Sequence, residues 1–220
     1  MHKVLHLLPA AALLLLTAGP ATADVIEGTD ASETLVGTRS EDVIHARGGN
    51  DLVKGLAGYD RLYGGLGADQ LRGGGDRDFV LGGPGLDRLT GSAGKDYLSG
   101  DAGDDFAWGG GGADELVGGP GDDRLRAGNG NDFLTDHVIS ELSAAPGDDL
   151  LVGWDGDDYF GVTGGADIVR AGDGDDLVKT VDDGVRDVIR CGGGRDKVIY
   201  YDGGPDPLDE LFGCEIVTEA

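Results

Sequence analysis

Apolar side chains return along this chain at a fixed interval. A three-residue unit with an apolar residue at its centre recurs every nine residues, as in Arg61-Leu62-Tyr63, Gln70-Leu71-Arg72, Arg88-Leu89-Thr90 and Tyr97-Leu98-Ser99. Such out-in-out alternation is the side-chain geometry of a short β-strand whose middle residue is buried. The six residues between these units are dominated by glycine and aspartate, which is a turn composition. The pattern predicts strand and turn in strict succession, with two nine-residue units making one coil. Two facing parallel sheets would then share a core made only of the middle residues.

Written in nines from Gly64, the chain reads GGLGADQLR, GGGDRDFVL, GGPGLDRLT, GSAGKDYLS, GDAGDDFAW, GGGGADELV, GGPGDDRLR and AGNGNDFLT. The same register runs back through GLAGYDRLY, ARGGNDLVK, GTRSEDVIH and GTDASETLV, so Gly28 to Thr135 holds twelve repeats. An interruption at 136–143 is followed by AAPGDDLLV, GWDGDDYFG, VTGGADIVR and AGDGDDLVK; a two-residue insertion at 180–181 is followed by DDGVRDVIR and CGGGRDKVI. Across these eighteen repeats position eight is always apolar, and position six is Asp in all but one, where it is Glu33. Position four is Gly in fourteen, with Ala31, Ser40, Asp76 and Val185 as the departures. Disordered low-complexity chain shows enrichment without phase, so the register argues for a folded repeat array.

Composition sharpens this. Gly accounts for 44 of 220 residues without a three-residue period, which excludes collagen. Acidic residues number 42 against 17 Lys and Arg, for a formal charge of −25, and only eight of the acids are Glu. A chain so acidic has little attraction for nucleic acid or anionic lipid and a strong one for polyvalent cations.

The motif G-G-x-G-x-D-x-U-x, with U apolar, resembles the haemolysin-type, or RTX, calcium-binding nonapeptide repeats, and the resemblance covers Gly28 to Ile199. It implies a parallel β-roll in which each ion is held between the turns of repeats i and i+2, and so Ca2+ ions on the order of ten. The residues point the same way. Glycines at positions one, two and four open backbone angles closed to other residues and let carbonyl oxygens turn inward. Calcium takes six to eight hard oxygen ligands, and position-six carboxylates on successive coils supply the charge. Aspartate is also a common turn residue, but that does not explain why position six takes neither Asn nor Ser while position five takes Asp104, Asn50, Tyr59 and Lys95.

The candidate ligands are therefore Asp42, Asp51, Asp60, Asp69, Asp78, Asp87, Asp96, Asp105, Asp114, Asp123, Asp132, Asp149, Asp158, Asp167, Asp176, Asp187 and Asp196. The weakest sites are expected where position four departs from glycine. One buried apolar side chain per nine residues offsets only part of the entropy of ordering them, so folding is expected to depend on the ions.

Residues 1–23 run from Lys3 through an apolar stretch to Ala21-Thr22-Ala23, the pattern of a cleaved secretory signal peptide, and no membrane span follows. A secreted, extracellular protein is expected, and in that oxidising setting Cys191 and Cys214 read as one disulfide. The roll would occupy 24–199, and residues 200–220, which leave the nine-residue phase, would cap its open edge. Known members of the RTX family typically carry an uncleaved C-terminal export signal, so an N-terminal leader implies a different export route.

No H-E-x-x-H or G-x-S-x-G motif occurs, and no enzymatic activity is expected. Sorting outward positions by alternate repeats puts Lys54, Arg72, Arg88, Arg124 and Arg126 on one face. The other receives a candidate partner face of Tyr63, Phe79, Tyr97 and Phe133, suited to polysaccharide, a cell surface or a second copy of the roll. The two readings carried forward are a calcium-binding protein that folds on its ions and a calcium-scaffolded adhesive or carbohydrate-binding protein.

Overall fold

The computed structural model describes residues 4–6, 23–136, 147–181, 184–201 and 207–219. Within them the chain is a parallel β-solenoid of two sheets, with no helix, and hence none long and apolar enough to cross a membrane. One sheet runs, in spatial order, β1 (Val4–His6), β2 (Val25–Glu27), β4 (Val43–His45), β6 (Arg61–Tyr63), β8 (Phe79–Pro84), β10 (Tyr97–Ala102), β12 (Glu115–Val117), β14 (Phe133–Thr135), β16 (Tyr159–Val162), β18 (Leu177–Val181), β20 (Lys197–Tyr201) and β22 (Ile216–Glu219). The other runs β3 (Thr34–Val36), β5 (Leu52–Ala57), β7 (Gln70–Gly75), β9 (Arg88–Ala93), β11 (Phe106–Gly111), β13 (Arg124–Asn129), β15 (Leu150–Asp155), β17 (Ile168–Asp173), β19 (Val188–Gly193) and β21 (Glu210–Phe212). Among the described residues these are a twelve-stranded and a ten-stranded sheet.

Partners in the long array stand eighteen residues apart, as in Leu62↔Val80↔Leu98 and Leu71↔Leu89↔Ala107, so two repeats make each coil. The core is the double column of position-eight residues, from Leu35 and Ile44 to Ile189 and Val198, each at most 2% exposed. It is not the only contribution. Ala46, Ala127, Val162, Ala171 and Cys191, which take position one where glycine is usual, are also fully buried in this core. After an inward position eight and an outward position nine, position one points inward again.

Residues 137–146, which include most of the interruption, lie outside the described residues. The strands flanking them are informative nonetheless. β13 pairs with β15 as Arg124↔Leu150 and β14 with β16 as Phe133↔Tyr159, each with eight residues more than the usual spacing. Alternation between the sheets continues undisturbed, which a half-coil would have inverted. The two-residue insertion lengthens the spacing to Ile168↔Val188 and Leu177↔Lys197, and β18 and β20 pair through Thr180↔Tyr200 and Val181↔Tyr201.

The tail ends the roll as one further coil. β21 pairs with β19 through Ile189↔Leu211, and β22 pairs with β20 through Val198↔Val217. Leu211 and Cys214 pack against the core, and Cys214 is disulfide-bonded to Cys191 with the Cα atoms 5.2 Å apart. At the opposite end Val4–His6 of the expected leader pairs with Val25–Glu27.

Turn geometry explains the glycines where backbones approach. Gly49 has φ +106°, and a Cβ there would come within 2.6 Å of the Ala31 and Ser32 backbone one coil back. Position two also takes the left-handed conformation, and not always with glycine: Leu56 has φ 96° and Trp154 φ 95°.

Candidate metal sites along the turns

Each position-six aspartate makes three contacts that tie one coil to the next. For Asp78, the carbonyl accepts from Tyr97 N–H at 2.9 Å, the N–H donates to Oδ1 of Asp96 at 2.7 Å, and Oδ1 accepts from Asp60 N–H at 2.9 Å. The same N–H to Oδ1 bond repeats along both edges of the roll. One ladder runs Asp42, Asp60, Asp78, Asp96, Asp114, Asp132, Asp158, Asp176, Asp196. The other runs Asp51, Asp69, Asp87, Asp105, Asp123, Asp149, Asp167, Asp187. All seventeen aspartates singled out from the sequence are thereby placed at equivalent points, each at most 4% exposed.

The ladders extend further than the repeat pattern. Asp24 N–H donates to Asp42 Oδ1 at 2.7 Å and Glu33 N–H to Asp51 Oδ1 at 2.7 Å, while Asp187 N–H donates to Asp209 Oδ1 at 2.9 Å and Asp196 N–H to Glu215 Oε2 at 2.8 Å. Asp24, Asp209 and Glu215 were missed because their repeats lack the glycine turn. The signal that finds them is the tetrad acid-x-apolar-x in Asp24-Val-Ile-Glu27, Asp209-Glu-Leu-Phe212 and Glu215-Ile-Val-Thr218. Glu33 differs from the aspartates, because its Oε2 turns back to accept from Thr29 N–H in its own repeat.

Oδ1 is thus satisfied by backbone; Oδ2 accepts from Thr38 in Asp42 and from the Thr180 hydroxyl in Asp187, but in most of the series it has no donor. Oδ2 of Asp51, Asp60, Asp69, Asp78, Asp87, Asp96, Asp105, Asp114, Asp123, Asp132, Asp158, Asp167, Asp176 and Asp196 is buried with no hydrogen-bond partner. Around it lie further acceptors. A Cβ built on Gly64 would stand 2.6 Å from Asp69 Oδ2 and 2.5 Å from the Gly82 carbonyl oxygen; one on Gly82 would stand 2.5 Å from Asp87 Oδ2 and 2.7 Å from the Gly100 oxygen. A carboxylate oxygen and a carbonyl oxygen of the next coil therefore converge where glycine leaves room. A buried carboxylate oxygen that no donor meets costs several kcal/mol unless a cation meets it. An Asn amide would satisfy those carbonyls by donating to them, which accounts for its absence from position six.

Burial raises these acids well above the usual carboxylate range, against the lowering effect of the backbone N–H each accepts; nearby carboxylates add a smaller rise in all of those named below except Asp96. Asp60, Asp87, Asp114, Asp149 and Asp158 are pushed up to about 7, Asp78 and Asp123 to about 8 and Asp167 to about 9. Asp51, Asp96, Asp105 and Asp176 rise to about 6. The ionised form is what the ion-free fold resists and what a divalent cation would hold.

No group of three or more His, Cys, Asp or Glu side chains placed to hold a metal ion by themselves occurs among the described residues. Soft-metal chemistry has no ligand set there, and the oxygen set that does exist draws on backbone carbonyls as much as on carboxylates. Hard cations that take many oxygens fit it. Residues 27–62, 48–80, 73–107, 81–116, 108–135, 141–161 and 162–179 match the RTX calcium-binding nonapeptide repeat.

The chain belongs to the RTX calcium-binding nonapeptide repeat family. RTX nonapeptide repeats bind Ca2+, and the repeats together with the solenoid make this a calcium-binding repeat protein. No curated protein matches the chain significantly.

The aromatic residues singled out from the sequence lie on the twelve-stranded sheet, in two columns. Phe79 and Tyr97 stack at 5.0 Å and Phe133 stacks on Tyr159 at 4.6 Å, all in the position-seven column, where Glu115 separates the two pairs. Tyr63 is in the position-nine column, stacked on His45 at 4.5 Å and tilted against Phe79 at 6.1 Å. Lys54, Arg72, Arg88, Arg124 and Arg126 lie on the ten-stranded sheet.

Proposed function

We propose that this RTX repeat protein is secreted and is folded by the calcium it meets outside the cell, with ions on the order of ten held along the two edges by the seventeen position-six aspartates. The observation that carries the reading is the row of buried, partnerless Oδ2 atoms. Bound Ca2+ supplies the positive charge and the high coordination number that the turn interior calls for. The chain's own part is to position oxygens. Asp Oδ1 fixes the register of successive coils, Oδ2 and the position-one carbonyls turn inward, and where position one is glycine the absence of a Cβ keeps the space open. Without an ion the same carboxylates repel along each edge, which favours the extended chain and couples binding to folding.

The disulfide agrees with an oxidising compartment, and a leader cleaved after Ala23 would leave the edge of β2 open. The role is that of a scaffold and not of a catalyst. Equilibrium dialysis of the mature chain against Ca2+ tests the stoichiometry. Uptake on the order of ten ions supports the reading, and one or two ions per chain would refute it.

A second reading, calcium-scaffolded adhesion to a polysaccharide or cell surface, is favoured by the stacked rings of the twelve-stranded face. Replacing Phe79, Tyr97 and Phe133 together with Thr should abolish such binding while leaving calcium-driven folding intact. Loss of folding would reassign those rings to structure.

A further inference from the structure

The ten-stranded face has a character opposite to that of the whole chain. Although the sequence holds 42 acidic residues against 17 Lys and Arg, outward positions seven and nine of β5 through β19 in this sheet contain no Asp or Glu. They carry Lys54, Arg72, Arg88, Arg124, Arg126, Arg170 and Arg190 instead, and none of these seven forms an ion pair among the described residues.

At the centre of this face stand two aromatic rings among the cations. Phe106 is the register partner of both Arg88 and Arg124, and Trp108 is the register partner of Arg126 on one side and Thr90 on the other. Trp108 is 49% exposed, and the Arg126 guanidinium lies 5.5 Å from the Phe106 ring centre. Neighbouring strands are about 4.8 Å apart, so a flat indole is bracketed by guanidinium groups one strand away on the same surface.

We propose that this face binds an anionic polysaccharide, with a sugar ring seated on Trp108 and the carboxylate or sulfate groups of adjoining units held by Arg88, Arg124 and Arg126. Guanidinium groups form paired hydrogen bonds with planar or tetrahedral oxyanions, and an exposed indole offers a rigid apolar plate to a sugar's C–H face. The strip is only three residues wide, roughly 10 Å at strand rise. It is bordered on one edge by turns that bear exposed Asp104, Asp122 and Asp148, while the turns on the other edge carry Arg77, Lys95 and Asn131 beside the site. A single linear polymer lying across the strands keeps its charges over the cations, whereas a broader nucleic-acid duplex would overlap the acidic border formed by Asp104, Asp122 and Asp148. The proposal rests on the calcium-loaded fold and is independent of the opposite aromatic face.

The test titrates the full-length, calcium-loaded chain with dextran sulfate, neutral dextran, inorganic polyphosphate and single-stranded DNA at increasing ionic strength, while the β signal is followed by circular dichroism. Dextran sulfate should bind, weaken with salt and exceed neutral dextran by at least about tenfold. Changing Arg88→Gln, Arg124→Gln and Arg126→Gln together should cost at least about tenfold. Trp108→Ala should lower affinity for dextran sulfate and leave polyphosphate binding unchanged, because polyphosphate has no ring to seat.

Unchanged affinity in the triple variant, or equal binding of neutral dextran, would overturn the proposal. So would binding of single-stranded DNA as tight as dextran sulfate and insensitive to Trp108→Ala, which would mark a general polyanion strip. Dimers that dissociate in the triple variant without any sugar binding would assign the face to a second copy. Should the triple variant lose its β signal in calcium, the salt dependence of the native chain and the Trp108→Ala comparison decide alone.

Discussion

Asp78 N–H donates to Asp96 Oδ1 at 2.7 Å across one coil, while Asp96 Oδ2 is buried with no partner. The two oxygens of one carboxylate thus do different work, one holding coil to coil and the other left for a cation. Removing them separately should give different phenotypes. Asp96→Asn keeps the Oδ1 acceptor and removes the charge, so it should raise the calcium needed for folding but increase β content without calcium. Asp96→Ala loses both and should be worse in either condition, by about 1–3 kcal/mol in the loaded state. Glu33→Ala, at the first coil and with its carboxylate turned back to Thr29, should shift the calcium midpoint little. Calcium titrations of the three variants check this, and equal midpoints would show that the array does not act as a stack.

Acidity should act on the two states in opposite directions. The position-six acids are raised in the fold, to about 7 for Asp60 and Asp114 and about 8 for Asp78, so the ion-free fold binds more protons than the unfolded chain. Its stability is therefore full below the ordinary carboxylate range near 4 and is lost as pH rises through about 7 to 8. In chelator, β structure should appear on acidification. In calcium, acid competes for the ligands and should raise the metal concentration required. Circular dichroism against pH, with and without calcium, reads both; parallel trends would refute the assignment.

Space at position one should matter more than glycine content as such. Gly82→Ala places a methyl between Asp87 Oδ2 and the Gly100 oxygen and should weaken calcium-driven folding by roughly 1–3 kcal/mol. Gly111→Ala, with nothing within 4 Å of the added carbon, should be silent. Calcium midpoints of the two proteins distinguish a filled cradle from a general loss of turn flexibility.

Two turn residues hold backbone angles that suit glycine better. Leu56 at φ 96° and Trp154 at φ 95° are both about half exposed, at 44% and 53%. Leu56→Gly should stabilise the calcium-loaded form by about 0.5–1 kcal/mol, the relief of left-handed strain less the added chain entropy. Thermal unfolding in saturating calcium measures it. A lower melting temperature would mean that the Leu56 side chain contributes contacts that outweigh the strain.

Much of this architecture is legible in the sequence, because a strict period leaves few alternatives. Leu62, Val80 and Leu98 announce their column by spacing alone, and the position-six aspartates announce theirs by tolerating no substitute but Glu33. What escaped the period was whatever departs from it. Asp24, Asp209 and Glu215 join the ladders through backbone geometry without the glycines that mark a repeat. The residues after Thr135 leave sheet alternation intact, a topological fact that counting residues could not give. Ala46, Ala127 and Val162 enter the core because position one points inward, which a pattern based on its usual glycine conceals. Trp108 and Phe106 occupy the same outward positions as Arg88, Arg124 and Arg126, and only the sheet register shows that rings and cations stand side by side.

The central claim is that, at neutral pH, the aspartate ladders hold the roll together only when their second oxygens are met by calcium. Circular dichroism of the mature chain during titration with Ca2+ and, separately, Mg2+, at neutral pH and fixed ionic strength, tests it most directly. The account predicts a cooperative passage from coil to β structure with calcium and a far weaker response to magnesium, which demands a small octahedral site and sheds water reluctantly. A β-rich spectrum in excess chelator at neutral pH, or equal responses to the two ions, would contradict it.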